Sequence, residues 1–474
     1  MKYRYLSLML MLALIFPNTS FGSGYVIKVK INGLGQDTLY LGSYYGQYNQ
    51  VNDTAISNEK GEIVFQGKED LPGGIYFIIH KKVRVFEFII NKEQVISFDT
   101  DTADYVANMK IKGSKENILF YEYLNYINGQ QAQFNRYKDH FEKIKDNKDS
   151  SSYYKLKMSE IDERVKTYKT DFMQQNPDLL ISKVFKASKD PDIPEAPMLS
   201  NGRKDSVFQY RYYKAHYFDD IDFTDDRLLR TPVFYNRLNN YITSVVAQTP
   251  DSITKEADIL AEKARPNKEM FKFVVWYITY MSETSNIMGF DAIYVYMVEK
   301  YYKTNQCYWV SPKVLDNVIK RSDKLKPILL GKIAPNLIMQ DTALVLKSLH
   351  EIKANYTVLL FWDPECGHCQ TEVPAVHDFY LKEKAELNFE VFAVCADTNM
   401  AKMKSFIIKH KLSWINVNGP RALTQPYGEL YDIYSTPVIY ILDSNKAILA
   451  KRIGFDKIGD FLRADIKRKA ALKP

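Results

Sequence analysis

The sequence predicts a multidomain chain in three parts: an N-terminal all-β sandwich, a central all-α domain and a C-terminal α/β domain. Three observations point there. Between Gly24 and Gly113, short alternating apolar runs are separated by turn residues. From Lys115 to Lys324 the apolar period becomes helical. Beyond Lys326, compact apolar strand-like runs alternate with helical stretches. At 474 residues the chain is too long for one core and suggests about three domains. The expected boundaries are 1–22, 24–113, 115–324 and 326–474.

Residues 1–22 read as a targeting segment. A basic start, Met1-Lys2-Tyr3-Arg4, leads into an apolar run from Leu6 to Phe16 and then small and polar residues up to Gly22. That is the pattern of a cleaved secretory signal peptide. The run is shorter than the ~20 residues of a membrane span, and no cysteine follows it to carry a lipid. The alternative is an uncleaved N-terminal anchor. Export would place the chain in the periplasm, where disulfides persist.

In the β region, Ile27, Val29 and Ile31 alternate with polar neighbours, and Asn32-Gly33 signals a turn. Further strands are expected at Thr38–Leu41, Glu62–Phe65, Ile75–Ile79, Val85–Ile90 and Gln94–Phe98. In the helical region, Tyr154, Met158, Ile161, Val165 and Tyr168 recur at helical spacing. Helices are also expected around 234–246, 255–263, 268–282 and 291–303, with a proline-rich break at 191–202. The many tyrosines suit core packing and contact surfaces better than a cofactor site. The net charge of +7 is spread among interleaved acids and bases, which argues against a nucleic-acid partner. Four cysteines are too few to staple a secreted chain of this length.

The chemistry concentrates in one segment. The apolar run Val358–Trp362 reads as a buried strand; it turns through Asp363-Pro364-Glu365 into Cys366-Gly367-His368-Cys369, after which Val373, Val376, Phe379 and Tyr380 recur at helical spacing. Cys366 therefore stands where a strand hands over to a helix. Free amide N–H groups and the positive helix end stabilise a thiolate there. A redox-active dithiol is the favoured reading. A zinc site would want a second close Cys/His pair, and Cys307 and Cys395 are single and far apart. A plain structural disulfide remains the other alternative. No metal and no cofactor is implied.

From Gly331 onward the chain resembles the thioredoxin fold in its TlpA/ResA-like envelope branch. The resemblance rests on the opening Gly331-Lys332-Ile333-Ala334-Pro335, the dithiol after the first long strand, Glu372 and Pro374 beyond it, and Asp397 after the strand Phe389–Cys395. Thr436-Pro437 before the strand Val438–Leu442 matches the family's cis-proline position, and a terminal hairpin and helix follow. Glu365 stands where the family usually has an aromatic, and Gly367-His368 replaces the usual Gly-Pro. The β region and the helical region also resemble domains of unknown function that accompany envelope thioredoxins.

The resemblance implies an exported protein-disulfide oxidoreductase acting on disulfide-containing envelope proteins, with a membrane electron donor if it works reductively. Cys366 is the expected nucleophile and Cys369 the resolving thiol. Glu372, three residues further on the same helix face, is the expected proton acceptor for Cys369. Thr436, Pro437 and Trp362 are expected at the substrate groove, with Gly367 and His368 tuning the potential. Two other classes compete: a non-enzymatic binding module with a structural CxxC disulfide, and a thiol peroxidase, whose Pro-x-x-x-Thr-x-x-Cys loop is missing before Cys366.

Overall fold

The computed structural model describes residues 24–144 and 148–471; the expected signal peptide lies outside them. The chain forms two compact units, one up to Tyr241 and one from Ile242 onward.

In the first unit, β1 (Tyr25–Asn32), β2 (Thr38–Tyr45), β3 (Tyr48–Ile56), β4 (Glu62–Gly67), β5 (Gly74–His80), β6 (Val83–Ile90), β7 (Val95–Asp101) and β8 (Lys110–Lys112) build two sheets. Their strand orders are β4-β1-β7-β8 and β3-β2-β5-β6. Ile27, Val29, Ile31 and Phe98 from one sheet and Leu41, Tyr76, Ile78 and Phe88 from the other share one buried core. Strand β3 is an addition to the sequence reading. It sits at a sheet edge with most side chains exposed, so it is held by backbone pairing to β2 and carries no apolar alternation.

Helices α1 (Lys115–Ile144), α2 (Lys148–Gln175), α3 (Leu180–Ala187), α4 (Phe208–His216) and α5 (Pro232–Asn240) complete this unit. Their attachment to the sheet is polar as well as apolar. The buried Asn117 side chain bonds both the N–H and the carbonyl of Ile89, each at 2.7 Å. Leu179 supplies no side-chain cap to α3; the buried Glu116 carboxylate instead accepts from the Leu180 N–H at 2.5 Å.

The second unit opens with α6 (Pro250–Ala264), α7 (Lys268–Thr284), α8 (Asp291–Met297) and α9 (Pro312–Leu325). Thr249, Asn267 and Ser311 cap α6, α7 and α9 with side-chain oxygens, and prolines occupy the first turns of α6 and α9. There follow β9 (Ile338–Asp341), β10 (Leu346–Ser348), β11 (Tyr356–Trp362), α10 (Gly367–Leu387), β12 (Phe389–Cys395), α11 (Met400–His410), β13 (Ile415–Ala422), α12 (Tyr427–Leu430), β14 (Val438–Asp443), β15 (Ile448–Lys451) and α13 (Ile458–Ala471). The seven strands form one mixed sheet in the order β10-β9-β13-β12-β11-β14-β15. Strand β11 is central and buried throughout, parallel to β12 and antiparallel to β14. The apolar run Val358–Trp362 within it follows from burial on both faces. Among the described residues, no helix is long and apolar enough to cross a membrane.

The helices and the sheet of this unit are joined by a buried charge. Lys451, at the end of β15, is 8 % exposed. Its ammonium donates to the Ile328 carbonyl at 2.8 Å and pairs with Asp291 at the start of α8. Removing one partner of such a pair strands the other charge in a poorly solvated place. Asp291→Ala is therefore expected to lower the unfolding free energy by about 3–5 kcal/mol. The double change Asp291→Leu with Lys451→Met should recover most of that loss. Denaturant melts of the three proteins decide it, and an unchanged single variant contradicts the assignment.

Candidate active site

The dithiol stands at the end of the central strand. After Trp362 the chain leaves the sheet and turns tightly. The Asp363 carboxylate accepts from the Glu365 N–H at 2.8 Å, and its carbonyl from the Cys366 N–H at 3.2 Å. Cys366 then occupies the N-cap of α10 in an extended conformation (φ −72°, ψ 122°). The first amides of the helix thus converge on its sulfur, which is half-buried. Cys369, one turn along, is fully buried among Trp362, Val373 and Cys395.

The two thiols are driven apart in acidity. Partial burial works against the Cys366 thiolate, but hydrogen bonds from the Thr436 side chain, the Cys369 backbone and thiol, and the His368 backbone outweigh it. The thiol sits below its ordinary value. Burial pushes the Cys369 thiol up to about 12, despite a bond from the Asp363 backbone. The remaining cysteines are buried, and desolvation raises both Cys307 and Cys395 to about 12.

Thr436 and Pro437 come to the dithiol through sheet pairing. Phe361 of β11 lies opposite Val438 of β14, which sets the preceding Thr436 beside the dithiol turn. The Thr436-Pro437 peptide bond is cis, and the Cys366 thiol donates to the Thr436 carbonyl at 3.0 Å. Glu372 is half-buried on α10, and its carboxylate makes no hydrogen bond or ion pair with any described residue. Gly367 and His368 are exposed at the helix start.

Trp362 requires a correction. It is 0 % exposed, its ring packed 4.8 Å from that of Phe406, so it cannot touch a substrate and instead supports the turn from beneath. Its side chain points into the core because it continues the inward face of β11, with Val358 and Leu360. Glu365, whose carboxylate would disfavour a neighbouring thiolate, is paired with Lys402 on α11. That partner lies 37 residues away, and no local pattern announces it.

Chemically, this is a thiolate held at a helix start with a protonated thiol behind it. Such a pair can attack a disulfide, form a mixed disulfide and close its own ring.

Comparison with known proteins agrees. Residues 330–451 match the AhpC/TSA family. Residues 25–120 and 157–320 match two domains of unknown function, DUF4369 and DUF5106. The C-terminal part of the chain is thus a thioredoxin-fold domain of the AhpC/TSA family, preceded by a sheet-rich region and a helical middle. Its relatives are of the ResA type: the ResA thiol-disulfide oxidoreductase of Bacillus cereus is 29 % identical over 26 % of this chain and 70 % of its own length. Among solved structures, a domain of a possible thiol-disulfide isomerase from Cytophaga hutchinsonii is 42 % identical, covering 31 % of this chain and 98 % of that one, with a TM-score of 0.29. The thioredoxin domain of a thiol-disulfide oxidoreductase from Bacteroides vulgatus is 25 % identical, covering 29 % and 96 %, with a TM-score of 0.25.

Only the thiolate reacts with an alkylating agent, and its population grows as pH rises through the thiol's pKa. In single-thiol variants, Cys366 is expected to alkylate with a midpoint below that of a free cysteine. Cys369 should stay inert across the neutral range, because its midpoint is raised to about 12. Iodoacetamide rates against pH check this; faster reaction at Cys369 reverses the roles.

Proposed function

We infer that the protein is an exported thiol–disulfide oxidoreductase that uses Cys366-Gly367-His368-Cys369 to reduce or exchange disulfides of envelope proteins. The observation that carries this reading is the split between the two thiols, one favoured as thiolate at a helix start and one buried as thiol. ResA relatives and the AhpC/TSA match support the class. The basic–apolar–small pattern of residues 1–22 supports export to the periplasm. The division into a β-sandwich domain (24–113), a helical domain (115–324) and a thioredoxin domain (326–474) belongs to the same proposal. The three family matches each fall mainly in a different one.

In the reductive direction, the Cys366 thiolate attacks one sulfur of a substrate disulfide. The substrate S–S bond breaks, a mixed disulfide forms, and the other substrate sulfur leaves as thiolate. Cys369 then gives its proton to Glu372, which no described residue engages, and attacks the Cys366 sulfur. The mixed disulfide breaks, the Cys366–Cys369 disulfide forms, and the substrate has gained two electrons. A membrane electron donor would restore the dithiol. In the oxidative direction the same steps run backwards. The backbone at Thr436 and Pro437 pairs with an extended substrate segment as an added strand. Gly367 leaves the approach to Cys366 open, and His368 tunes the potential.

Two experiments test the reading. Cys369→Ser blocks the second attack, so envelope preparations should yield mixed disulfides through Cys366, and a variant that traps nothing argues against protein disulfides as substrates. Glu372→Gln keeps the shape and removes the base; release of the mixed disulfide should slow by about 10²-fold at neutral pH. An unaltered single-turnover rate would make Glu372 an ordinary helix carboxylate.

A further inference from the structure

The loop 431–436 leads directly into the Thr436 carbonyl that receives the Cys366 thiol. Its inner end is fixed by packing. Tyr431 is fully buried, donates to the Pro335 carbonyl at 2.5 Å, and lies 5.3 Å from the ring of Phe361. Past Tyr431 the support changes character. Asp432 is 4 % exposed yet borders a cavity of about 240 Å³ lined in part by Glu283, Asp291, Tyr440 and Lys451. Charge therefore holds the loop on that side, with little packing to help.

Two guanidinium groups supply the charge. Arg452, next to the end of β15, pairs with Asp432. Arg321, on α9, grips the same carboxylate with both terminal nitrogens, one of them at 3.0 Å. Arg321 also donates to the Tyr434 hydroxyl at 2.7 Å and lies over the Tyr434 ring, 5.1 Å from its centre; Lys324, one turn along α9, covers the same ring at 5.2 Å. Tyr434 is nevertheless 70 % exposed. It stands two residues before Thr436, its polar tip anchored and its ring presented to solvent.

We propose that Arg321 is a positioning residue for the dithiol site: it holds segment 432–436 so that Thr436 stays against Cys366 and Tyr434 forms a fixed aromatic wall of the substrate groove. The helical stretch before the thioredoxin domain is then part of the active site. The proposal rests on the oxidoreductase reading and adds a substrate class: extended disulfide-bonded segments with an apolar or aromatic residue beside the reacting cysteine. Arg452 keeps Asp432 paired when Arg321 is removed, so the fold has a fallback, while the Tyr434 hydroxyl loses its donor.

The test uses the full chain with Arg321→Met, Arg321→Lys and Tyr434→Ala. In Arg321→Met the Thr436 side chain no longer stays within reach of the Cys366 sulfur, and the thiolate loses a donor. In a Cys369→Ser background, its alkylation midpoint should move to higher pH, with the rate at pH 7 falling about three- to fivefold, the scale of one hydrogen bond. Arg321→Lys should restore part of the shift. Tyr434→Ala should leave the midpoint in place and raise KM severalfold for a disulfide-bonded peptide with phenylalanine beside the cysteine. It should change little for the alanine version or for oxidised glutathione. An Arg321→Met protein that folds but keeps the midpoint and the peptide KM overturns the proposal, whatever its melting. If Arg321→Met does not fold, Tyr434→Ala decides alone, and a KM for the phenylalanine peptide unchanged from that of the unmodified chain overturns it. If the unmodified chain reduces no disulfide at all, the oxidoreductase reading fails, while the alkylation midpoints still judge the clamp.

Discussion

The contact between Cys366 and Thr436, a hydrogen bond from the protonated thiol to the carbonyl, joins residues 70 apart in the chain, and the working geometry depends on keeping those two residues together. Neither partner is placed by its own neighbourhood. Cys366 is delivered by β11, whose seven buried residues leave it no freedom to shift register. Thr436 is delivered by β14, the antiparallel neighbour of that strand. A slip of one residue in that pairing would turn the apolar set of β14 to its other face and carry Thr436 away from the sulfur. The sheet is in this sense the ruler that sets the distance.

The two cysteines share a motif but live in different solvents. Cys366 meets backbone amides and a side-chain donor at the surface, where a negative sulfur is welcome. Cys369 lies among valines and an indole, where the neutral thiol is favoured. One thiol is ready, and the other must be activated after the first has reacted. Separating the two events in time would give a mixed disulfide a finite life. The nearby Glu365 carboxylate is turned to an ion pair with Lys402.

Much of this was legible in the sequence, for a physical reason. A buried central strand must be continuously apolar, a helix start near a nucleophile must follow it closely, and both constraints are local. The same holds for α6 and α7, whose periods and caps are written in adjacent residues. Long-range facts were not legible. Nothing near Glu365 points to Lys402, and nothing near Asp432 points to Arg321. Strand β3 escaped because edge pairing uses the backbone, which carries no pattern of side chains. Trp362 misled because an aromatic beside a dithiol invites a binding role. Its place in the alternation of β11 sends it inward instead.

The buried Cys307 and Cys395 carry a consequence of their own. A thiol–disulfide oxidoreductase is exposed to reaction with its own thiols, and every additional thiol is an opportunity for a wrong ring. Here both extra sulfurs are buried and held as neutral thiols by the cost of charging them away from water. Cys395 faces the same core as Cys369, one strand over from Trp362, yet its environment denies it the ionised form that exchange chemistry uses. Desolvation thus acts as an insulator. It confines the redox traffic of a four-thiol chain to one sulfur that partners can reach and one that answers it.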